Sequence, residues 1–289
     1  MTAARAWATL RPATLWAGVV PVGVGLALSA GHPDARWGLG LAALICAVLV
    51  QIGCNLVNDY ADFAKGADGA DRLGPARASA QGWFSPRQVA AAAAVALAAA
   101  VAVGAWAVAV RGWPLAALGV ASVLAAIAYT AGPWPLGYRG LGDVFVLGFF
   151  GFAAVAGTVF AVTGEVGPRA WPAGLAVGSL ATAILVVNNL RDRHTDARVG
   201  KRTLAVRFGA RFARLEYAAL VIAAYVAVAA VALLARAPGW LLPLASLPLA
   251  VRAVRAVART DGAALNPLLG ATARLELLFG ALLALGALT

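Results

Sequence analysis

Nine windows of predominantly apolar residues recur along this chain of 289 residues, at 14–30, 39–58, 88–110, 114–131, 141–163, 171–190, 215–235, 239–254 and 270–288. A helix needs about 20 such residues to cross the hydrocarbon core of a bilayer. Within that core no water satisfies the backbone, so only helices and closed barrels are admissible. The runs lack the alternation of barrel strands, which predicts an all-α, polytopic membrane protein with nine transmembrane helices. Composition agrees: hydrophobic residues are 62% and charged residues 12%, against about 25% charged in a soluble domain. The alanine-rich run 89–110 fits helices that pack closely through small residues. The first window has the look of a secretory leader, but with eight more spans behind it we read it as a first membrane helix. Cys46 and Cys54 lie two turns apart on one span, so neither a disulfide nor a zinc site is expected.

The net charge of +11, from 23 Lys and Arg against 12 Asp and Glu, is a topology signal rather than a nucleic-acid signal. With the N-terminus cytoplasmic, 19 of the 23 basic residues fall on that side and four on the other, as the positive-inside rule requires.

Two connections are long and polar, 59–87 and 191–214, and both fall on the basic side. They carry Asp59, Asp62, Asp68 and Asp71 in the first and Asp192 and Asp196 in the second. Asn55, Asp59 and Asp62 follow i, i+4, i+7; Asn188, Asp192 and Asp196 follow i, i+4, i+8. Each set lies on one helix face. An asparagine thus stands one turn inside the membrane with two aspartates beyond it, twice, at the ends of the second and sixth spans. Carboxylates at a membrane helix end are costly unless paired or bound to a cation. Two such stripes meeting across a central cavity suit Mg²⁺, which takes one or two carboxylates with phosphate oxygens and water. Lys and Arg interleaved among the acids are the natural phosphate partners. Acids, bases and a membrane chamber together point to a lipid diphosphate.

Those residues resemble the UbiA superfamily of intramembrane prenyltransferases, in particular its menaquinone-pathway branch, which acts on 1,4-dihydroxy-2-naphthoate. The resemblance rests on Asn55–Asp68 with Asp71–Arg77, on Asn188–Asp196 with Gly200–Gly209, on Tyr129–Asp143, on Leu10–Thr14 and on Leu265–Ala273. It departs at Gly66, where the broad superfamily has an acid; here Asp68 comes two residues later.

The resemblance implies one domain over 1–289, helices around a central cavity, and cytoplasmic loops that hold Mg²⁺ on an allylic polyprenyl diphosphate. It implies ionisation of that diphosphate, attack by the aromatic ring, and loss of the ring carboxylate to give demethylmenaquinone. Metal binding is assigned to Asp59, Asp62, Asp68, Asp192 and Asp196. Diphosphate binding goes to Lys65, Arg72, Arg77, Lys201 and Arg207. Asn55 and Asn188 are expected to orient the metal or substrate, and Tyr138 and Asp143 to touch the acceptor. Aromatic faces at Tyr60, Tyr129, Tyr138, Phe149 and Phe150 are candidates to stabilise the cation. Membrane lipids surround the chain; neither nucleic acid nor an obligatory protein partner is implied.

Rival readings are another acceptor (4-hydroxybenzoate, homogentisate, haem B or a sugar phosphate) and a cation-coupled transporter. Transport sites sit near the bilayer midplane, whereas these acids lie at span ends beside bases. The Asp-Gly-x-x-Ala-Arg pattern of CDP-alcohol phosphatidyltransferases is absent.

Overall fold

A computed structural model describes residues 3–67 and 72–289; Asp68 and Asp71 lie outside the described residues. Secondary structure among the described residues is entirely helical. In chain order it comprises α1 (Ala3–Thr9), α2 (Pro12–Leu28), α3 (Trp37–Ala64), α4 (Pro86–Arg111) and α5 (Trp113–Ala128). Next, α6 (Gly142–Val146), a π-helical stretch Leu147–Ala153 and α7 (Ala154–Thr163) form one rod, followed by α8 (Ala170–Arg198) and α9 (Leu204–Leu234). A 3₁₀ stretch Pro238–Ser246 leads into α10 (Leu247–Arg259), and a 3₁₀ turn Gly262–Leu265 into α11 (Asn266–Ala287). Among the described residues seven rods are long and apolar enough to cross a membrane, and two shorter apolar helices, Thr14–Leu28 and Trp113–Ala128, fall on the first and fourth apolar windows.

The second and sixth windows end at 58 and 190 by hydropathy, yet α3 runs on to Ala64 and α8 to Arg198. Helical hydrogen bonding continues past the last apolar residue. Both acidic stripes therefore stand on rigid helix extensions rather than on loops.

The rod α8 is the axis of the bundle. Buried residues make up 72% of its most apolar window, against 28% in α4 and in Pro238–Arg259. Small side chains let neighbours close on it: a Cβ on Gly178 would lie 2.5 Å from the Gly151 Cα in the π-helical stretch, so that crossing admits no larger residue. Ala173, Ala176, Val177, Leu180 and Ala183 complete its enclosed surface. On α10, Ala250, Ala253 and Val257 face inward while Arg252, Arg255 and Arg259 are exposed, so this helix is peripheral.

Local signals set the helix starts that frame the site. Ser85 and Gln88 form a reciprocal capping box ahead of α4, with Pro86 in its first turn. Thr203 caps α9 by accepting from the Val206 N–H. Gly209, with φ 81°, breaks the first turn of α9 from its long remainder.

The connections sort into two ends. One end gathers Leu10, the segment after α3, Thr130, Tyr138, the segment after α8 and Asp261, joined by Asn55–Leu10, Lys65–Thr130, Tyr138–Asp62, Arg202–Tyr138 and Arg193–Asp261 hydrogen bonds. The opposite end joins Arg36 N–H to the Val162 carbonyl and Arg111 to the carbonyls of Ala161 and Val162. Both acidic motifs lie at the first end.

Candidate active site

From α3, Asp62 is 5% exposed. Its Oδ2 lies 3.0 Å from Arg77 Nη2, and its Oδ1 accepts the Tyr138 hydroxyl at 2.8 Å. The Tyr138 ring lies beneath two ammonium groups, Lys65 Nζ at 4.3 Å from its centroid and Lys201 Nζ at 5.7 Å. Burial, reinforced by Asp62, raises the Tyr138 pKa well above the ordinary tyrosine value, so its hydroxyl stays a donor. Burial lowers the Lys65 pKa; Asp62 opposes that and Lys201 adds to it.

From α8, Arg191 forks onto Asp192, with Nε 2.8 Å from Oδ1 and Nη2 2.6 Å from Oδ2. Asp196 Oδ1 lies 3.3 Å from Lys201 Nζ, while its buried Oδ2 has no partner among the described residues. The two motifs face each other across a pocket of about 30 Å³ lined by Asp62, Arg72, Arg77, Asp192, Asp196 and Lys201, with Ala67, Leu73 and Thr195.

Several other predicted residues have partners outside that pocket. Asp59 does not line the pocket: Oδ2 accepts the Ala78 N–H at 2.9 Å and Oδ1 the Ser79 N–H at 3.0 Å. It is 2% exposed and folds the loop after α3 back onto its own helix. Asn55 donates to the Leu10 carbonyl and to Thr14 Oγ1, pinning the segment before α2 to α3. Arg207 also stands outside the pocket, donating to the carbonyls of Arg202 and Arg139. It thereby braces the two connections that carry Lys201 and Tyr138. Lys65 donates to the Thr130 carbonyl. Asn188 is half-buried one turn before Asp192. Asp143, in the first turn of α6, is buried with both oxygens unpartnered among the described residues. Beside it, Gly142 packs against the Tyr129 hydroxyl. Asp68 lies outside the described residues.

Four residues escaped the sequence-level list. Asn58 meets Thr130 through its side chain and takes Arg77 Nη1 on its carbonyl at 2.7 Å. Arg11, its Nη2 buried beside the first motif, is pushed down to about 9 by burial first and then by Arg77 and Arg72, against the pull of Asp59 and Asp62. Arg191 and Asn266 are joined at 2.9 Å. Arg11 and Arg191 read in sequence as positive-inside anchors; only the burial of their guanidinium groups marks them otherwise.

Among the described residues no three carboxylate, histidine or cysteine groups form a metal cage. Mg²⁺ seldom uses one, since it binds through one or two carboxylates plus phosphate oxygens and water. The unpartnered Asp196 Oδ2, buried at the pocket wall opposite Asp62, fits that mode of binding. Cationic groups beside it fit a phosphate-bearing ligand.

Comparison with known proteins matches residues 18–275 to the UbiA prenyltransferase family. The chain is 40% identical to the 1,4-dihydroxy-2-naphthoate octaprenyltransferase of Escherichia coli, over 98% of this chain and 94% of that protein. It is 37% identical to the Mycobacterium tuberculosis protein of the same name, over 96% and 94%. It is 31% identical to human UbiA prenyltransferase domain-containing protein 1, over 94% and 79%. The fold is similar to that of a UbiA homologue from Archaeoglobus fulgidus bound to DMAPP and Mg²⁺, with a TM-score of 0.63 at 18% identity over 97% of both chains. It is also similar to that of an apo UbiA homologue from Aeropyrum pernix, with a TM-score of 0.72 at 18% identity over 93% and 96%. This chain therefore belongs to the UbiA prenyltransferase family of membrane proteins.

Proposed function

We propose that this chain transfers a polyprenyl group from an allylic polyprenyl diphosphate to 1,4-dihydroxy-2-naphthoate at the cytoplasmic face of the membrane. The observation that carries this reading is the convergence of Asp62, Asp192 and Asp196 with Arg72, Arg77 and Lys201 on one pocket. The names of the relatives supply the acceptor.

Arg72, Arg77 and Lys201 bind the diphosphate and hold it as the leaving group. Asp62, Asp192 and Asp196, with Asp68 proposed beside them, would hold Mg²⁺, which when bound would supply further positive charge against the departing diphosphate. Asp62 orients Tyr138 through its hydroxyl, and the tyrosine offers an aromatic ring to the allylic cation. Asp143 contributes a polar contact to the acceptor. The prenyl carbon–oxygen bond breaks, a carbon–carbon bond to the ring forms, and the ring carboxylate departs as CO₂ with its electron pair left on the ring. The immediate product is the hydroquinone form of demethylmenaquinone.

The test supplies membranes carrying the protein with Mg²⁺, octaprenyl diphosphate and 1,4-dihydroxy-2-naphthoate. Prenylated naphthoquinol is the expected product. Product with 4-hydroxybenzoate or homogentisate and none with the naphthoate would overturn the acceptor assignment.

A further inference from the structure

Arg191 is 2% exposed, which no topological anchor needs to be: an arginine that serves only the positive-inside bias extends its head to water. Here the guanidinium is committed in three directions. Nε and Nη2 take both oxygens of Asp192, and Nη1 reaches Asn266 Oδ1 at the start of α11 at 2.9 Å. Asn266 passes the link on, donating Nδ2 to the Leu73 carbonyl at 2.7 Å. An arginine only donates and a carbonyl only accepts, so this network fixes the amide's orientation. Gly74 comes directly after Leu73, and a Cβ there would lie 2.6 Å from Arg191 Nη2. The loop backbone thus rests directly on the guanidinium.

We propose that Arg191, Asn266 and Gly74 form a latch that joins α8, α11 and the loop after α3, with Arg191 as a positioning residue that presents Asp192 to the pocket and holds Leu73 and Arg72 against it. The proposal rests on the diphosphate-site reading for its functional consequence, but the latch itself is a property of the loop. Lysine does not replace Arg191, because a single ammonium on a flexible stem cannot reproduce a planar fork to three acceptors. Aspartate at 266 separates the two halves of the link. It keeps an acceptor for Arg191 and loses the donor to Leu73.

The test uses the full-length protein in detergent and two readouts. The first is the rate of tryptic cleavage after Arg72 and Arg77 without ligand, which reports local opening of the loop. Asn266→Asp and Gly74→Ala are expected to raise it about tenfold, a shift of about 1.4 kcal/mol in the opening equilibrium. The second is binding of inorganic pyrophosphate with Mg²⁺. Arg191→Lys is expected to weaken it on the order of 10- to 100-fold, as loss of a residue that orients a metal-binding carboxylate does. Asn266→Asp should raise KM for the prenyl diphosphate far more than it lowers kcat, a split that a general loss of folded protein does not produce. Wild-type cleavage rates in both Asn266→Asp and Gly74→Ala would overturn the latch, even if Arg191→Lys fails to fold. Failure of the wild-type protein to bind Mg²⁺ and pyrophosphate would overturn the diphosphate reading instead, leaving the latch to be judged on cleavage alone.

Discussion

The two acidic motifs each set an aspartate four residues after an asparagine and differ in what their acids do. On α3, Asp59 is occupied by the N–H groups of Ala78 and Ser79, and Asp62 is held by Arg77 and Tyr138. On α8, Asp192 is held by its own neighbour Arg191, and Asp196 leaves one oxygen unpartnered among the described residues. The cause lies in the chain segment beyond each helix end. The chain that follows α3 returns to it at Ala78 and Ser79, whose N–H groups Asp59 anchors. After α8 the chain turns at once through Gly200, with φ 73°, and delivers Lys201 to Asp196. One motif therefore commits an acid to backbone N–H groups of the following loop, and the other keeps both acids on the pocket.

Four substitutions probe that difference. The largest expected effect is from Asp196→Asn, which removes a pocket charge whose ion pair is to the Lys201 side chain rather than to loop backbone. Prenyl transfer should fall on the order of 100- to 1000-fold with little change in the thermal unfolding temperature in detergent. A loss of folded protein matching the loss of activity would move Asp196 to a structural role.

Asp59→Ala should show the reverse balance. It strands two buried N–H groups, at about 1–3 kcal/mol each, so unfolding should shift clearly downward. Excess Mg²⁺ should not restore activity. Restoration by Mg²⁺ would return Asp59 to the metal-binding set and erase the contrast between the motifs.

Tyr138→Phe removes one hydrogen bond to a charged group, worth about 1.5–3 kcal/mol. A roughly tenfold or greater fall in activity is expected, at unchanged loop cleavage. Arg207→Gln should do least. Its hydrogen bonds go to loop carbonyls at an exposed position, and exposed charged contacts contribute about 0–1 kcal/mol. A loss of diphosphate affinity as large as that of an Arg77 variant would put Arg207 back in the site.

Much of this arrangement was legible in the sequence because hydropathy and helix periodicity act locally. The apolar windows fall on helices, and the i, i+4 spacing of Asp192 and Asp196 matches the face they present to the pocket. Three kinds of feature were not legible. Hydropathy registers the bilayer rather than the helix, so its windows stopped before the acids, and only the spacing of the acids told that the helices of α3 and α8 continue. The π-helical stretch Leu147–Ala153 meets α8 where Gly151 and Gly178 touch, a tertiary contact without a local signature. The roles of Asp59 and Arg191 depend on partners nineteen and seventy-five residues away in sequence, beyond any spacing rule for one helix.

The central claim is that both motifs build one Mg²⁺-dependent diphosphate site. Its most direct test is the binding of a non-ionising thiolo analogue of a prenyl diphosphate to purified protein, measured calorimetrically with and without Mg²⁺. The account predicts Mg²⁺-dependent binding in the wild type and its loss in Asp62→Asn and in Asp196→Asn alike, one residue from each motif. Binding that needs no Mg²⁺, or that survives unchanged in both variants, would contradict it.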